Sequence, residues 1–416
     1  MNVEKWTLGM AAAGLITLSP ALLAQSATPQ LVPLQTALSA TTISGYVDTS
    51  AVWNPGTGNA NPAPYAFNAG KQDGFNLNSV DVKLAKALDE GAWGAGYVAE
   101  ISYGPDAEAI DGGAYPIRQA YIELNMPVGN GLDWQIGRWD SLLGYESSDS
   151  MKNPNYTRSY GKSFEPTENT GLLASYKFCD AFSAQAGVAN TVTTSAYGVN
   201  ARATSFGVAP IESKKAFLGL LTLTAPESWG GYKGSELFGG WDYGQGAQNH
   251  DRSEIYVGGM LNTPIKGLTF GVSWDAIFHN DVYGYTPAFS YGDNDESYFQ
   301  SIAGYCSYKA TEKLTLSARF EYADGMGLGA LADENNASVG GVDGITFKNP
   351  LHKVLALTGT VQYQLWENVV SRVEIRWDHA ADGSDAFGGT PYGTIDGGLP
   401  DKKNEVTIAA NVIYKF

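Results

Sequence analysis

Ionisable side chains recur at every second position in two stretches of this chain. Arg372, Glu374, Arg376 and Asp378 interleave with Val373, Ile375 and Trp377, and Arg319 and Glu321 interleave with Ala318, Phe320 and Tyr322. On an extended strand alternate residues share a face, so each stretch has a charged face and an apolar one. Burying unpaired charges is prohibitive, so the charged faces require water or partners. Along a narrow aqueous passage such side chains act on passing ions. Paired across strands, they contribute about 0.2–1 kcal/mol each to the wall. A third group, Glu146, Asp149, Lys152, Arg158, Lys162, Glu165 and Glu168, crowds the segment 141–169 just after Arg138. Arg319, Glu321, Arg372, Glu374, Arg376, Arg138 and Glu146 are therefore the candidate residues lining a passage, with an exposed surface loop as the alternative reading of 141–169.

Catalytic patterns are missing. Ser, His and Asp all occur, but the chain has no nucleophile elbow, metal-binding helix or phosphate-cradling Gly-rich loop. His250, His279, His352 and His379 sit at element ends without a diagnostic ligand spacing. The acidic run Asp293-Asn294-Asp295-Glu296 lacks the twelve-residue calcium-loop pattern. We expect no catalytic residue, no metal site and no cofactor.

Sixteen alternating segments must carry the charged faces: 42–53, 75–88, 91–103, 118–126, 132–140, 170–178, 182–190, 215–225, 235–243, 253–262, 268–278, 298–309, 314–323, 353–365, 368–378 and 404–416. Most have about the 9–11 residues of a tilted membrane strand. Connections after even-numbered segments are short, such as Trp366-Glu367, whereas those after odd-numbered ones are mostly long and rich in Gly, Asp, Asn and Pro: 54–74, 104–117, 141–169, 191–214, 244–252, 279–297, 324–352 and 379–403. A soluble sandwich has no reason to keep its long loops at one end. A transmembrane antiparallel β-barrel does, with short periplasmic turns and long extracellular loops. Sixteen strands enclose an aqueous channel, whereas eight would be filled by side chains.

The last segment agrees with this fold class. Val406, Ile408, Ala410, Val412, Tyr414 and Phe416 share one face, and Glu405, Thr407, Asn411 and Lys415 the other, with Ile413 as the exception. A terminal aromatic on a lipid-facing strand serves as an interfacial anchor, so Tyr414 and Phe416 form the expected assembly signal. Two segments alternate poorly: 353–365 is apolar on both faces, and Phe217, Leu221 and Leu223 oppose Leu218 and Leu220. Such strands suit an inward loop or a neighbouring subunit. Arg118 and Arg138 fall on the lipid-facing phase, where Arg costs about 2–4 kcal/mol at the midplane. They must lie at the rim, or a bulge at Gly137 must turn Arg138 inward.

Composition is consistent with export to a membrane. With 50 Gly, 24 Tyr and 10 Trp in 416 residues the chain is rich in turn formers and belt aromatics. Mean hydropathy is −0.18, and beyond the N-terminus no apolar run approaches the ~18 residues of a membrane helix. Residues 1–24 read as a signal peptide, with Lys5 and Glu4 before an apolar stretch from Leu8 to Ala24 and cleavage near Ala24. A periplasmic spacer, 25–41, then precedes the barrel, 42–416. The formal charge of −17 disfavours nucleic acid as a partner. Cys179 and Cys306 are expected as separate thiols because they map to distant elements.

Three pieces of the stretch 118–178 resemble the putative β-barrel porin-2 family of bacterial outer membranes. They are Gln119-Ala120-Tyr121 leading to Pro127, then Ile136-Gly137-Arg138-Trp139-Asp140-Ser141-Leu142-Leu143-Gly144-Tyr145-Glu146, and Thr170-Gly171-Leu172-Leu173-Ala174-Ser175-Tyr176-Lys177-Phe178. The resemblance implies an outer-membrane porin-like barrel but no settled solute and no functional residues. In general porins the third extracellular loop narrows the lumen, and 141–169 is the third here. The expected function is passive diffusion of ions and small polar solutes. The alternatives are a non-conducting structural or adhesive surface barrel and, further off, an outer-membrane hydrolase. Expected partners are outer-membrane lipid and lipopolysaccharide, the barrel-assembly machinery, the permeating solutes and further copies in a homotrimer. Epitope tags placed in 54–74, 279–297 or 324–352 should be labelled on intact cells, and tags in 127–131 or 263–267 should not; surface labelling of those short turns would overturn the topology.

Overall fold

The computed structural model describes residues 41–56, 74–88, 93–110, 116–192, 200, 213–245, 251–280, 297–325, 353–389 and 400–416. They form one closed antiparallel barrel of sixteen strands in which every strand pairs with its sequence neighbours. The strands are β1 (Thr41–Trp53), β2 (Gly74–Lys86), β3 (Gly94–Tyr103), β4 (Ile117–Met126), β5 (Leu132–Asp140), β6 (Glu168–Cys179), β7 (Phe182–Ala189), β8 (Ala216–Thr224), β9 (Glu236–Gln245), β10 (Asp251–Asn262), β11 (Leu268–Asn280), β12 (Ser297–Lys309), β13 (Leu314–Gly325), β14 (Lys353–Trp366), β15 (Val369–Ala380) and β16 (Asn404–Lys415). Each expected segment is a strand, shifted at its ends by at most a few residues. Closure comes from β1 against β16, with Tyr46 opposite Lys415 and Trp53 opposite Ile408. Gly45 and Phe416 exchange both backbone hydrogen bonds, at 3.1 and 3.0 Å. The terminal aromatic thus seals the seam, its ring exposed on the outside.

Alternation along the strands sorts the side chains as the pattern requires. On β15 Val373 and Ile375 are exposed while Arg372, Glu374, Arg376 and Asp378 are buried; on β13 Leu316 and Phe320 are exposed while Ser317, Arg319 and Glu321 are buried. The exposed row continues through Phe217, Leu221, Leu237, Trp241, Phe270, Val272 and Ile302. Only lipid can cover such a continuous apolar belt at no cost, because each of these side chains would otherwise order water. Ile413, the exception on β16, points inward and is fully buried. Among the described residues both cysteines are free thiols.

Among the described residues two α-helices occupy extracellular connections. The first, α1 (Pro105–Ile110), follows β3. The second, α2 (Tyr160–Phe164), lies in the connection between β5 and β6, with Ser159 as its N-cap accepting from the Lys162 amide. The periplasmic connection between β8 and β9 holds a 3₁₀ helix, Glu227–Tyr232. Of the histidines, His250 and His352 and the side chain of His279 fall outside the described residues, as do residues 1–40 and the run 293–296. The His379 ring is stacked on Trp377, centroids 5.5 Å apart, at the extracellular end of β15.

The poorly alternating strands are explained by what lies inside. Val354 and Ala356 of β14 join Ile277, Phe299, Ala323 and Ala380 in one buried cluster with Tyr160 and Phe164 of α2. Ala216 and Leu218 of β8 pack with Trp139, Leu173, Ala189 and Val192, and Leu142 leans on the same group. Leu220 meets Leu143 and Tyr256. These inward apolar side chains have a dry partner, the connection between β5 and β6. Val373→Arg, in the exposed apolar row, should cost about 2–4 kcal/mol, while Thr315→Arg, on the inner phase near the periplasmic end of β13, should fold normally. Heat-modifiable gel migration measures both, and the reverse order would mean that the faces are inverted.

Candidate functional site: the inward loop and its clamp

The connection from Ser141 to Thr167 reaches β1, β10, β13 and β15 as well as its own flanking strands, which only a segment inside the barrel can do. Its path is fixed by the backbone of Tyr156 to Tyr160. Glu374 accepts the amides of Tyr156 and Thr157 at 2.6 and 2.9 Å, Glu146 that of Ser159 at 2.7 Å and Glu321 that of Tyr160 at 2.7 Å. The carbonyls face arginines: Arg319 donates to Thr157 at 2.7 Å and Arg158 at 3.0 Å, and Arg376 donates to Arg158 at 2.7 Å. The wall thus supplies partners to the Tyr156, Thr157 and Tyr160 amides and to the Thr157 and Arg158 carbonyls, groups that a buried irregular backbone would otherwise leave orphaned.

The clamping side chains are themselves paired. Arg319 lies 2.7 Å from Glu146 and 2.6 Å from Glu321. Arg376 lies 3.2 Å from Glu321 and 2.9 Å from Asp378. The Tyr160 hydroxyl donates to Asp378 at 2.7 Å, and its ring sits 5.0 Å beneath the Arg376 guanidinium. Ion pairs of this kind, fully buried, recover their desolvation only when every remaining donor and acceptor is used. Here the loop backbone uses them.

Other contacts fasten the two ends. Arg372 donates to the Ser150 carbonyl at 3.0 Å, next to a short 3₁₀ turn, Ser150–Lys152. The Tyr156 hydroxyl is 2.8 Å from Ser50 of β1. Beyond α2, Arg252 of β10 donates to the Phe164 carbonyl and to Glu254. Glu165, just past the helix, lies 3.5 Å from Lys162. Burial pushes its carboxyl up to about 8, the Lys162 ammonium pulling the other way and Glu254 and Glu146 adding repulsion.

Six of the seven sequence-predicted residues, Arg319, Glu321, Arg372, Glu374, Arg376 and Glu146, are thus brought together around the loop. Arg138 is not among them: it stands at the loop's root, donating to the Arg118 carbonyl at 2.9 Å and to Glu168 at 3.0 Å. All seven are at most 5% exposed, so they hold the loop before they meet any solute. Strand parity alone would send Arg118 and Arg138 towards lipid, but both are buried: Arg138 turns inward at Gly137, one of the two outcomes the sequence allowed, whereas the inward turn of Arg118 was not expected. The β3–β4 register slips between Glu100 and Ile101, inserting Arg118 as an extra residue, and Gly137 has φ +137, where a Cβ would sit 2.2 Å from the Ala120 carbonyl oxygen. Side by side these irregularities turn both arginines inward. Arg118 then reaches Glu100 at 2.6 Å and Asp140 at 2.8 Å. Sequence reading placed a bulge only at Gly137, because nothing in Ile117-Arg118-Gln119 itself marks an inserted residue. It also missed Tyr160 and Asp378 as a pair, since an aromatic in a loop carries no sign of a partner 218 positions away.

The side chains exposed to the lumen lie elsewhere. Lys83, Asp140 and Lys152 retain 30, 32 and 60% of their side-chain surface, on β2, on β5 and on the loop beside Asp149. Among the buried charges of the interior, carboxylates outnumber cations. Among the described residues no three His, Cys, Asp or Glu side chains converge as a metal site.

The fold is shared with solved outer-membrane proteins. The chain is similar to Pseudomonas putida OprB (TM-score 0.57, 10% identity, covering 92% of this chain and 96% of that one). It is similar to an anion-selective porin from Comamonas acidovorans (0.56, 12%, 90% and 99%). It is also similar to OmpT of Vibrio cholerae in a trimer form (0.50, 13%, 90% and 99%). No curated protein matches the sequence. The family described as "Putative beta-barrel porin-2, OmpL-like" matches residues 40–416. With that match, a closed sixteen-strand wall and a loop clamped across its interior, the chain belongs to the porin-2, OmpL-like family and is a porin-like channel of the bacterial outer membrane.

Proposed function

We propose that the channel passes ions and small polar solutes by passive diffusion, with a mild preference for cations set at the constriction by the loop 141–167. The observation that carries this reading is the state of the arginines. Arg319 and Arg376 each have carboxylates within 3.2 Å and spend their remaining donors on the loop backbone, so the field left over is that of the surplus carboxylates. Acidic groups near the mouths enrich cations within about a Debye length, ~8–10 Å in physiological salt, and the preference should fade as salt rises. The anion selectivity printed for the Comamonas relative belongs to that protein, whose likeness to this chain is one of fold. A channel rather than an enzyme is also the reading that the family supports, and the sequence offers no motif for hydrolysis.

The remaining parts of the proposal concern biogenesis and assembly. Residues 1–24 would be removed on export, and Tyr414 and Phe416 would direct insertion by the barrel-assembly machinery into lipid and lipopolysaccharide. The barrels would associate as homotrimers, as the trimer form of the Vibrio relative suggests, which cross-linking in native membranes can test.

In planar bilayers the purified protein should conduct, and its reversal potential in a salt gradient should show cation preference that declines at high salt. Anion preference would mean that the arginines dominate after all, and repeated insertions without conductance would reject the channel. Arg319→Ala tests the constriction: it leaves the buried Glu146 carboxylate without an ion-pair partner and Glu321 with Arg376 alone, a penalty of about 3–5 kcal/mol, relieved most cheaply if the loop leaves the wall. The expected result is an intact barrel with raised, noisier conductance and a loop that protease can cut. Parental conductance with a resistant loop would count against the clamp.

A further inference from the structure

The carboxyl of Glu165 closes the inward loop on itself. It follows α2 directly, and its side chain is buried. On one side it lies against the start of the same loop, where Gly144, at φ +112, leaves no room for a side chain: a Cβ there would overlap both carboxyl oxygens of Glu165. The Oε2 atom has no hydrogen-bond partner. The cation beside it is Lys162 of α2, at 3.5 Å, a longer approach than the 2.6–3.2 Å of the pairs in the clamp.

The groups that face Glu165 are mostly acids and phenols. From β10 come Arg252, Glu254 and Tyr256, from β11 Asp275, and from the loop Lys162 and Glu146. Asp242 of β9 stands behind, opposite Glu254, and Tyr305 of β12 faces Glu146. Arg252 is engaged with Glu254 and the Phe164 carbonyl, and Arg319 of β13 with Glu146 and Glu321. A carboxylate that gives up its hydration here, for one ammonium at 3.5 Å among other carboxyls, is penalised by burial first and by repulsion second. A neutral carboxyl escapes both. With α2 in place the group therefore keeps its proton up to about 8, whereas on a loop released into water it returns to the ordinary value near 4.5.

We propose that Glu165 is a proton-operated latch: while neutral it locks the end of α2 and the start of the loop together against β10 and β11, and on ionising it frees that end. The Arg319–Arg376 clamp is separate and keeps Tyr156 to Tyr160 in place. Docking takes up a proton between the two values, so the ratio of docked to released loop is highest below about 4.5, falls by up to tenfold for each pH unit towards about 8, and changes no further above it. Acid tightens the loop and alkali loosens it. That loosening widens the passage is a consequence that rests on the channel reading above; the latch itself does not.

The test is trypsin cleavage of the whole barrel in detergent from about pH 6 to about pH 9, with products read by mass spectrometry. Each rate is divided by that of Glu165→Gln at the same pH, which removes the pH dependence of trypsin itself. Cutting after Lys162, buried while the latch is closed, should rise relative to this variant on the order of tens of fold between about pH 6 and about pH 8 and then level off. Cutting after Arg158, inside the clamp, should keep a constant ratio. Equal cutting of both proteins after Lys162 at every pH overturns the latch, as does a relative rate that falls with pH. Should Glu165→Gln not assemble, Gly144→Ala decides: by displacing the carboxyl it should permit cutting after Lys162 already at the acid end, and a loop as resistant as the parent's overturns the proposal. In planar bilayers the conductance of the parent should rise and grow noisier over the same range, and that of Glu165→Gln should not. Cleavage that behaves as expected without any conductance would reject the channel and leave the latch, and conductance without pH-dependent cleavage would do the reverse.

Discussion

The structure depends on how a buried, irregular backbone is satisfied. A loop that enters a barrel leaves solvent without forming a helix or a sheet, and each unpaired amide or carbonyl then costs about 1–3 kcal/mol. From Tyr156 to Tyr160 the cost is met by side chains: Glu374 and Glu321 of the wall and Glu146 of the loop itself accept amides, and Arg319 and Arg376 cover carbonyls. The same charges compensate one another through pairs of 2.6–3.2 Å. Neither half would be stable alone. Without the loop the ion pairs would lack their outer partners, and without the ion pairs the loop would lack its hydrogen bonds.

This coupling changes the meaning of the charged rows on β13 and β15. A charge that meets water acts on whatever passes, whereas one held between a carboxylate and a peptide group acts mainly on position. At the β13–β15 wall the charges therefore set the position of the loop, whereas Lys83 of β2, Asp140 of β5 and Lys152 of the loop keep solvent contact. A dry cluster of Tyr160, Phe164, Phe299 and Phe387 backs the clamp, with the Phe164 and Phe299 rings 3.8 Å apart. Phe387 belongs to the last extracellular connection, which returns through a bridge to Lys402, so two loops share one packed core inside the mouth.

The barrel itself was legible in the chain. Period-two patterning is a local property, since a strand between lipid and a polar interior must alternate whatever its neighbours do. Leu314 to Ala323 and Val369 to Asp378 could therefore be given their faces from sequence. Failures of the rule were informative where tertiary partners overrode it. Val354, Ala356, Leu218 and Leu220 break the pattern because the inward loop makes their side of the wall dry. Arg118 breaks it because a one-residue register slip depends on the partner strand, and such a slip has no sequence mark of its own.

By itself the sequence determined the fold class, the number of strands, the side of each that meets lipid and the identity of the charged side chains turned inward. All of these follow from alternation and loop length, which neighbours along the chain carry. Only the tertiary structure decided that 141–167 enters the barrel, that Glu146 serves Arg319, that Tyr160 serves Asp378 and that Arg138 stands apart from the other six. Those contacts join residues up to about two hundred positions apart, such as Thr157 and Glu374. Their pairing is set by the closure of the sheet and the path of one loop through it, and no local pattern of residues encodes either.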